Sequence, residues 1–344
     1  MNQNRTIYGG RIEQARKLAG FTQKELAERA GVNQSAVAFY EKEKTTPSED
    51  VLRGIAEATG FLPSFFEREP FDDFPKGSLS YRAFRSVTAK EEDKAYLNAK
   101  LMFEHLGIMA QSFLLPKVQL PLLKEKPDNS AEITRSALGL SPDTPINNLT
   151  FTLEQNGVLI LPLPVYIDKI DAFSTWVNLQ DERKPLIAEC FGKPGDRIRF
   201  SIAHEVGHLV LHHPPKNSVK GMEKEANEFA AALLMPKQIM REEFITPVTL
   251  YSLAQMKVKW RVSMQALILR AKSLRIITER QATYLFTQMS SRGWRKAEPS
   301  NLNIPVEKPQ LFRKLIEGLY DNPDEYSVKM DMNNNRGAGI ALLV

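Results

Sequence analysis

Four of the five histidines in this 344-residue chain fall within ten residues, in the segment FSIAHEVGHLVLHH. His204 and His208 stand four apart, so on a helix both imidazoles face the same side. Two neutral imidazoles at that spacing can bind one zinc ion. Glu205, beside the first of them, is placed to take a proton from water activated there, the H-E-x-x-H arrangement of metal-dependent peptide hydrolysis. A catalytic zinc needs a third protein ligand and one open position. The candidate lies in GMEKEANEFAAALLMP, where Glu223 follows His208 by fifteen residues, enough for a turn. Glu225 points about 200° away from Glu223 on a helix and is the weaker choice. Asn227, one turn beyond Glu223, can hydrogen-bond a metal-binding histidine from behind. His212 continues the same face but lies about 12 Å from His204 along a straight helix, too far to share one ion. His212 and His213 therefore read as surface histidines or as supports for the ligands. Cys190 and His105 read as packing residues.

These side chains need elements to carry them. Apolar periodicity predicts helices near 198–213 and 222–235. Gly207 lies beneath the histidines, where a larger side chain would crowd a neighbouring segment. Ala226, Phe229, Ala230, Leu233 and Leu234 form the apolar face of the second helix, with alanines permitting a close approach. Upstream, NGVLILPLP, DAFSTWVNL and PLIAEC are short apolar runs separated by turn residues, and they predict a small sheet within 150–200. Longer helices are expected near 88–113 and 130–139.

A second kind of chemistry is written in the first sixty residues. TQKELAERAGVNQSAVAFYEKEKTTPS has helix–turn–helix spacing, with a capping box at Thr22, a turn glycine at Gly31 and N-caps at Asn33 and Ser48. That geometry exposes the start of the second helix to a major groove. Gln34 can pair bidentately with adenine and Ser35 is permissive. Gln23 can reach a phosphate from the preceding helix start. The Pro- and Phe-rich stretch FLPSFFEREPFDDFPKGS then ends the pattern.

Composition bounds the rest. A hydrophobic share of 42% and a charged share of 25% suit a globular protein and exclude collagen-like, mucin-like and wholly disordered chains. There is no apolar run long enough for a transmembrane helix, the N-terminus lacks the apolar core of a signal peptide, and one cysteine cannot form an internal disulfide. The expectation is a cytoplasmic protein with no membrane partner. The net charge is +5. Between Lys257 and Lys296, however, ten Lys or Arg face one acid, so the remainder is slightly acidic. That basic section, SLAQMKVKWRVSMQALILRAKSLRIITERQATYLF, repeats a helix–turn–helix rhythm. It reads either as a contact for DNA or an acidic substrate, or as a solvated face packed on its neighbour.

The N-terminal residues resemble the Cro/repressor-type (XRE) helix–turn–helix family over about residues 7–60, through TQKELA, Gly31 and the closing EKEKTTPS. The resemblance implies a structural pair between Arg16 and Glu41, and base-reading positions at Gln23, Gln34, Ser35, Ala38 and Phe39. Residues 75–295 resemble the ImmA/IrrE zinc metallopeptidases, through Arg199, Phe200, Ala203, HEVGH and EKEANEFAAALLMP. That implies zinc held by His204, His208 and Glu223 with Glu205 as general base, in an enzyme that cuts a partner helix–turn–helix repressor. The expected fold is multidomain and mainly α: an all-α helix–turn–helix domain at 1–68, a linker and connecting helix at 69–120, an α+β zincin-like domain with a small sheet at 121–247, a basic helical section at 248–295 and a tail at 296–344. The expected partners are double-stranded DNA, a protein substrate and a second copy of the chain, since a nearly charge-balanced DNA-binding module binds weakly alone. The alternative reading is a non-proteolytic regulator whose peptidase-like domain serves as a sensor or dimerisation platform.

Overall fold

The computed structural model describes residues 6–71, 74–75, 87–213, 219–320 and 330–332. The chain falls into two compact units, one of residues 1–114, 161–169 and 310–344, the other of 115–160 and 170–309.

The first unit opens with four short helices: α1 (Gly9–Leu18), α2 (Gln23–Ala30), α3 (Gln34–Glu41) and α4 (Glu49–Thr59). Their ends are written in the sequence. Thr22 and Glu25 exchange a reciprocal capping box at the start of α2, and Gly31 closes that helix at φ +69°, a left-handed cap that glycine adopts freely. Asn33 Oδ1 accepts from Ala36 N at 2.8 Å to start α3, and Ser48 caps α4. Ile12, Ala15, Leu26, Ala27, Val37 and Ile55 are the buried centre. The Pro- and Phe-rich stretch that ends the helical pattern includes a 3-10 turn, Pro63–Glu67, whose Phe65 and Phe66 are fully buried.

A longer helix, α5 (Ala89–Ala110), is joined to this module by a buried ion pair. Arg11 is completely buried, its guanidinium donating to both oxygens of Glu104 at 2.6 and 2.8 Å, with Phe65 4.9 Å beneath it. Burial, helped by Arg68 and Arg11, pushes the neighbouring His105 imidazole down to about 3, so it packs as a neutral ring. The strand-like runs YSVKMDM and GIALLV lie outside the described residues except for Met330–Met332, where Met332 bridges Phe61.

A three-stranded sheet runs in the order β1 (Leu159–Leu163), β3 (Glu182–Cys190), β2 (Ala172–Leu179), with β2 and β3 in the second unit. Strands β2 and β3 pair antiparallel from Ala172↔Glu189 to Leu179↔Glu182. Gln180 and Asp181, both at positive φ, make the two-residue turn whose twist matches such a hairpin. Because side chains alternate, Ala172, Ser174, Trp176 and Ile187 share one face. Helix α8 (Gly195–Leu211) packs on it, and Trp176 Nε1 donates to Leu209 O at 3.4 Å. Ahead of the sheet stand α6 (Pro127–Ala137), with proline at its first position, and α7 (Leu149–Gln155). The region read as sheet thus begins with a helix, because Asn148 caps α7 by accepting from Phe151 N at 2.9 Å. Helix α9 (Val219–Leu234) lies against α8, burying Ala226, Phe229, Ala230 and Leu233.

The remaining helices of this unit are α10 (Lys237–Glu243), α11 (Leu250–Trp260), α12 (Met264–Ser273) and α13 (Glu279–Ser291). Two cations of the basic section, Lys257 and Arg270, are buried in the fold. Lys257 is buried between Asp196 and Glu298, and Arg270 donates to Met235 O and Asp128. Lys259 and Lys272 pair with Glu243 and Glu279, and Arg261 donates to Asn147 O at 2.6 Å. The segment that follows docks on the same unit. Glu298 accepts from Met264 N, Glu307 pairs with Arg199, and a side chain at Gly195 would collide with the backbone of Ile304 and Pro305. The first unit ends its described helices with α14 (Leu311–Leu319). Among the described residues no helix is long and apolar enough to cross a membrane.

Candidate metal centre and nucleic-acid interface

Helix α8 supplies His204, Glu205 and His208, and α9 supplies Glu223, Glu225 and Asn227. The two helices come close because of Gly207. A Cβ there would lie 3.1 Å from Ala226 Cα and 3.1 Å from the Phe229 ring, tight enough that the neighbouring helix would have to give way. The outward wall of α9 thereby meets the histidine face of α8.

His204 Nε2 and His208 Nε2 lie 3.1 Å apart. A Glu223 carboxylate oxygen lies 3.4 Å from the first and the other 3.2 Å from the second. Tetrahedral coordination at bonds of about 2.1 Å sets neighbouring ligand atoms about 3.4 Å apart. Two imidazoles and one carboxylate at that spacing fit one zinc ion, and these three residues form a cluster able to hold a metal. Burial alone would raise the Glu223 carboxyl, but hydrogen bonds and charge from both imidazoles outweigh it and hold the group far below its ordinary value.

Both His204 and His208 are held from behind. His204 Nδ1 is 3.1 Å from Asn227 Oδ1, and Asn227 Nδ2 donates to Glu223 O at 2.8 Å. His208 Nδ1 is 2.9 Å from His212 Nδ1, and His212 Nε2 is 3.0 Å from Glu225 Oε2. His212 is almost completely buried, whereas His213 is partly exposed and contacts Arg183.

Glu205 is buried, and Ser174 Oγ donates to its Oε2 at 2.8 Å. The sequence reading passed over Ser174. Its signal was a lone hydroxyl on the inward face of AFSTWVNL, at a position where the alternation calls for an apolar side chain. Cys190 is buried, and burial pushes its thiol up to about 12, out of reach of nucleophilic chemistry.

In the first unit, Gln34 and Ser35 are exposed at the start of α3, while Ala38 is half-buried. Phe39 is exposed, with Lys44 Nζ 5.6 Å from its ring centre. Arg16 donates to both oxygens of Glu41 at 2.5 and 3.2 Å and to Phe21 O at 2.9 Å. Gln23 is drawn into the same knot, its amide donating to Glu41 Oε2 at 2.7 Å. The Gln23 side chain is therefore oriented by the Arg16–Glu41 pair.

The two units define a class: a helix–turn–helix regulator that also carries a metallopeptidase-like domain. Comparison with protein families agrees. Residues 12–66 match the helix-turn-helix family, and residues 153–272 match the IrrE N-terminal-like domain of peptidase family M78. A search of curated proteins found no match. The chain joins an XRE-type helix–turn–helix domain to an ImmA/IrrE-like M78 domain.

Proposed function

We propose that this protein is a DNA-binding regulatory zinc metallopeptidase that cleaves a partner protein of the helix–turn–helix repressor class and so controls gene expression. The observation that carries the reading is the convergence of His204, His208 and Glu223 at tetrahedral spacing, with Glu205 on the same helix and held by Ser174. When bound, zinc would act as a Lewis acid toward the scissile carbonyl and lower the pKa of water at the site. Glu205 takes a proton from the attacking water as its oxygen bonds the carbonyl carbon. It then gives that proton to the departing amine nitrogen as the C–N bond breaks. The hydrogen bond from Ser174 keeps the Glu205 carboxylate in one orientation through both transfers. Asn227 orients the His204 ring, fixing which nitrogen faces the centre.

In the other unit, Gln34 and Ser35 face a major groove, and the Arg16–Glu41–Gln23 knot sets the pose of the helices that carry them. Pairing of two copies on a two-fold operator compensates for the nearly balanced charge of this module. A repressor bound at the same operator would thereby share its DNA with the peptidase.

The test is Glu205→Gln beside wild type, incubated with zinc and small helix–turn–helix repressors encoded near the gene. Cleavage by wild type, lost in the variant while operator binding stays intact, is expected. Equal cleavage by both would remove Glu205 from the mechanism. Wild type that binds DNA but leaves every such repressor intact would favour the non-proteolytic regulator.

A further inference from the structure

The two ligand histidines are supported differently. Behind His204 stands a neutral amide, Asn227. Behind His208 stands a second imidazole, His212, itself backed by the carboxylate of Glu225. We propose that His212 and Glu225 are positioning residues that form a directional hydrogen-bond chain, setting the tautomer of His208 and strengthening its hold on zinc. The proposal rests on the reading of His204, His208 and Glu223 as the zinc ligands.

Hydrogen positions follow from the geometry. His208 turns Nε2 toward His204 and Glu223, so that nitrogen must keep its lone pair for a cation. Its proton then sits on Nδ1, which is 2.9 Å from His212 Nδ1. That nitrogen must accept, which puts the proton of His212 on Nε2, 3.0 Å from the Glu225 carboxylate. Two neutral imidazoles and one carboxylate satisfy both of these links. The chain ends on the Glu225 carboxylate and so holds the His208 ring in one orientation.

Two features argue against chance proximity. The His212 side chain is 1% exposed, so turning it away would leave its ring nitrogens buried elsewhere. The residue also lies beyond the end of α8, at a cap with φ −113°, where its backbone N–H still bonds His208 O at 3.1 Å. The helix thus closes on the residue whose ring holds the ligand. Sequence spacing excluded His212 as a ligand and set Glu225 aside as pointing away from Glu223. The structure gives both residues one job behind His208.

The experiment measures zinc dissociation constants by competition with a chromophoric chelator, on the full chain. Removing a partner of this kind weakens zinc on the order of tenfold to a hundredfold, the loss expected for His212→Phe. His212→Asn, which can offer an amide oxygen to His208 as Asn227 does to His204, should recover most of that loss. Glu225→Gln, nearly isosteric and at a partly exposed position, should weaken zinc less than His212→Phe. The double variant His212→Phe/Glu225→Gln should be no weaker than His212→Phe alone, because Glu225 acts only through His212. In zinc-loaded protein labelled with ¹⁵N histidine, the His208 Nδ1–H signal should persist in His212→Asn and be lost in His212→Phe. Wild type that binds zinc with every variant matching it would overturn the chain but leave the ligand assignment standing. Additive losses would show that Glu225 acts independently, which also contradicts the proposal. Wild type that binds no zinc would overturn the ligand assignment and this inference together.

Discussion

The protein contains two segments with the same local code and opposite fates. Helices α2 and α3 begin with caps at Thr22 and Asn33 and are divided by a left-handed residue, Gly31. Helices α11 and α12 begin with caps at Thr249 and Ser263 and are divided by a left-handed residue, Arg261. In the first, the opening residues of the second helix, Gln34 and Ser35, are exposed. In the second, the matching Met264 is fully buried and Gln265 donates to Arg295 O at 3.2 Å. The basic segment carries the charge that suits a polyanion, yet Lys257 and Arg270 spend it inside the fold. Capping and turn chemistry specify the helix pair. Which face remains open decides whether that pair can read DNA.

The largest effect is expected where the second segment hides a cation. Lys257→Met would leave Asp196 and Glu298 facing each other without a counter-charge, at a cost of about 3–5 kcal/mol in unfolding free energy. A denaturant melt in which the variant matches wild type would mean that the lysine is not held inside, and the contrast would fail. Next is DNA affinity. Gln34→Ala should weaken binding to a selected operator by about 1–3 kcal/mol, while Gln265→Ala leaves it unchanged. Fluorescence anisotropy showing equal losses would make the two segments alike. The smallest effect concerns the turns. Gly31→Ala has open space around its Cβ, so it should cost only the conformational penalty of about 1 kcal/mol. Arg261→Gly should move the other way at its turn, reduced by the lost bond to Asn147 O. Thermal melts of the two variants moving in the same direction would contradict that.

Some of this is legible in the sequence and some is not, for physical reasons. His204, Glu205 and His208 stand out because their types are rare and their spacing is a helix period. Thr22, Gly31 and Asn33 announce their helices because capping is local. The small sheet could be read from its short apolar runs, although Leu149–Gln155 turns out helical under the Asn148 cap. Ser174, Lys257 and the pairing of His212 with Glu225 were not legible as supports. Their partners are 31, 61 and 13 residues away, and only the packing of helix on strand or helix brings them together. Which of the ten cations of the basic section turn inward was not legible either: a count of charges does not single out Lys257 and Arg270, the two that are buried.

The measurement that bears most directly on the central claim is the zinc content of purified wild type beside Glu223→Ala, by elemental analysis after zinc is supplied and the excess removed. The account predicts about one zinc per chain in wild type, lost or much weakened in the variant, because a catalytic site needs all three protein ligands. Wild type that retains no zinc, or a variant that retains as much as wild type, would contradict it.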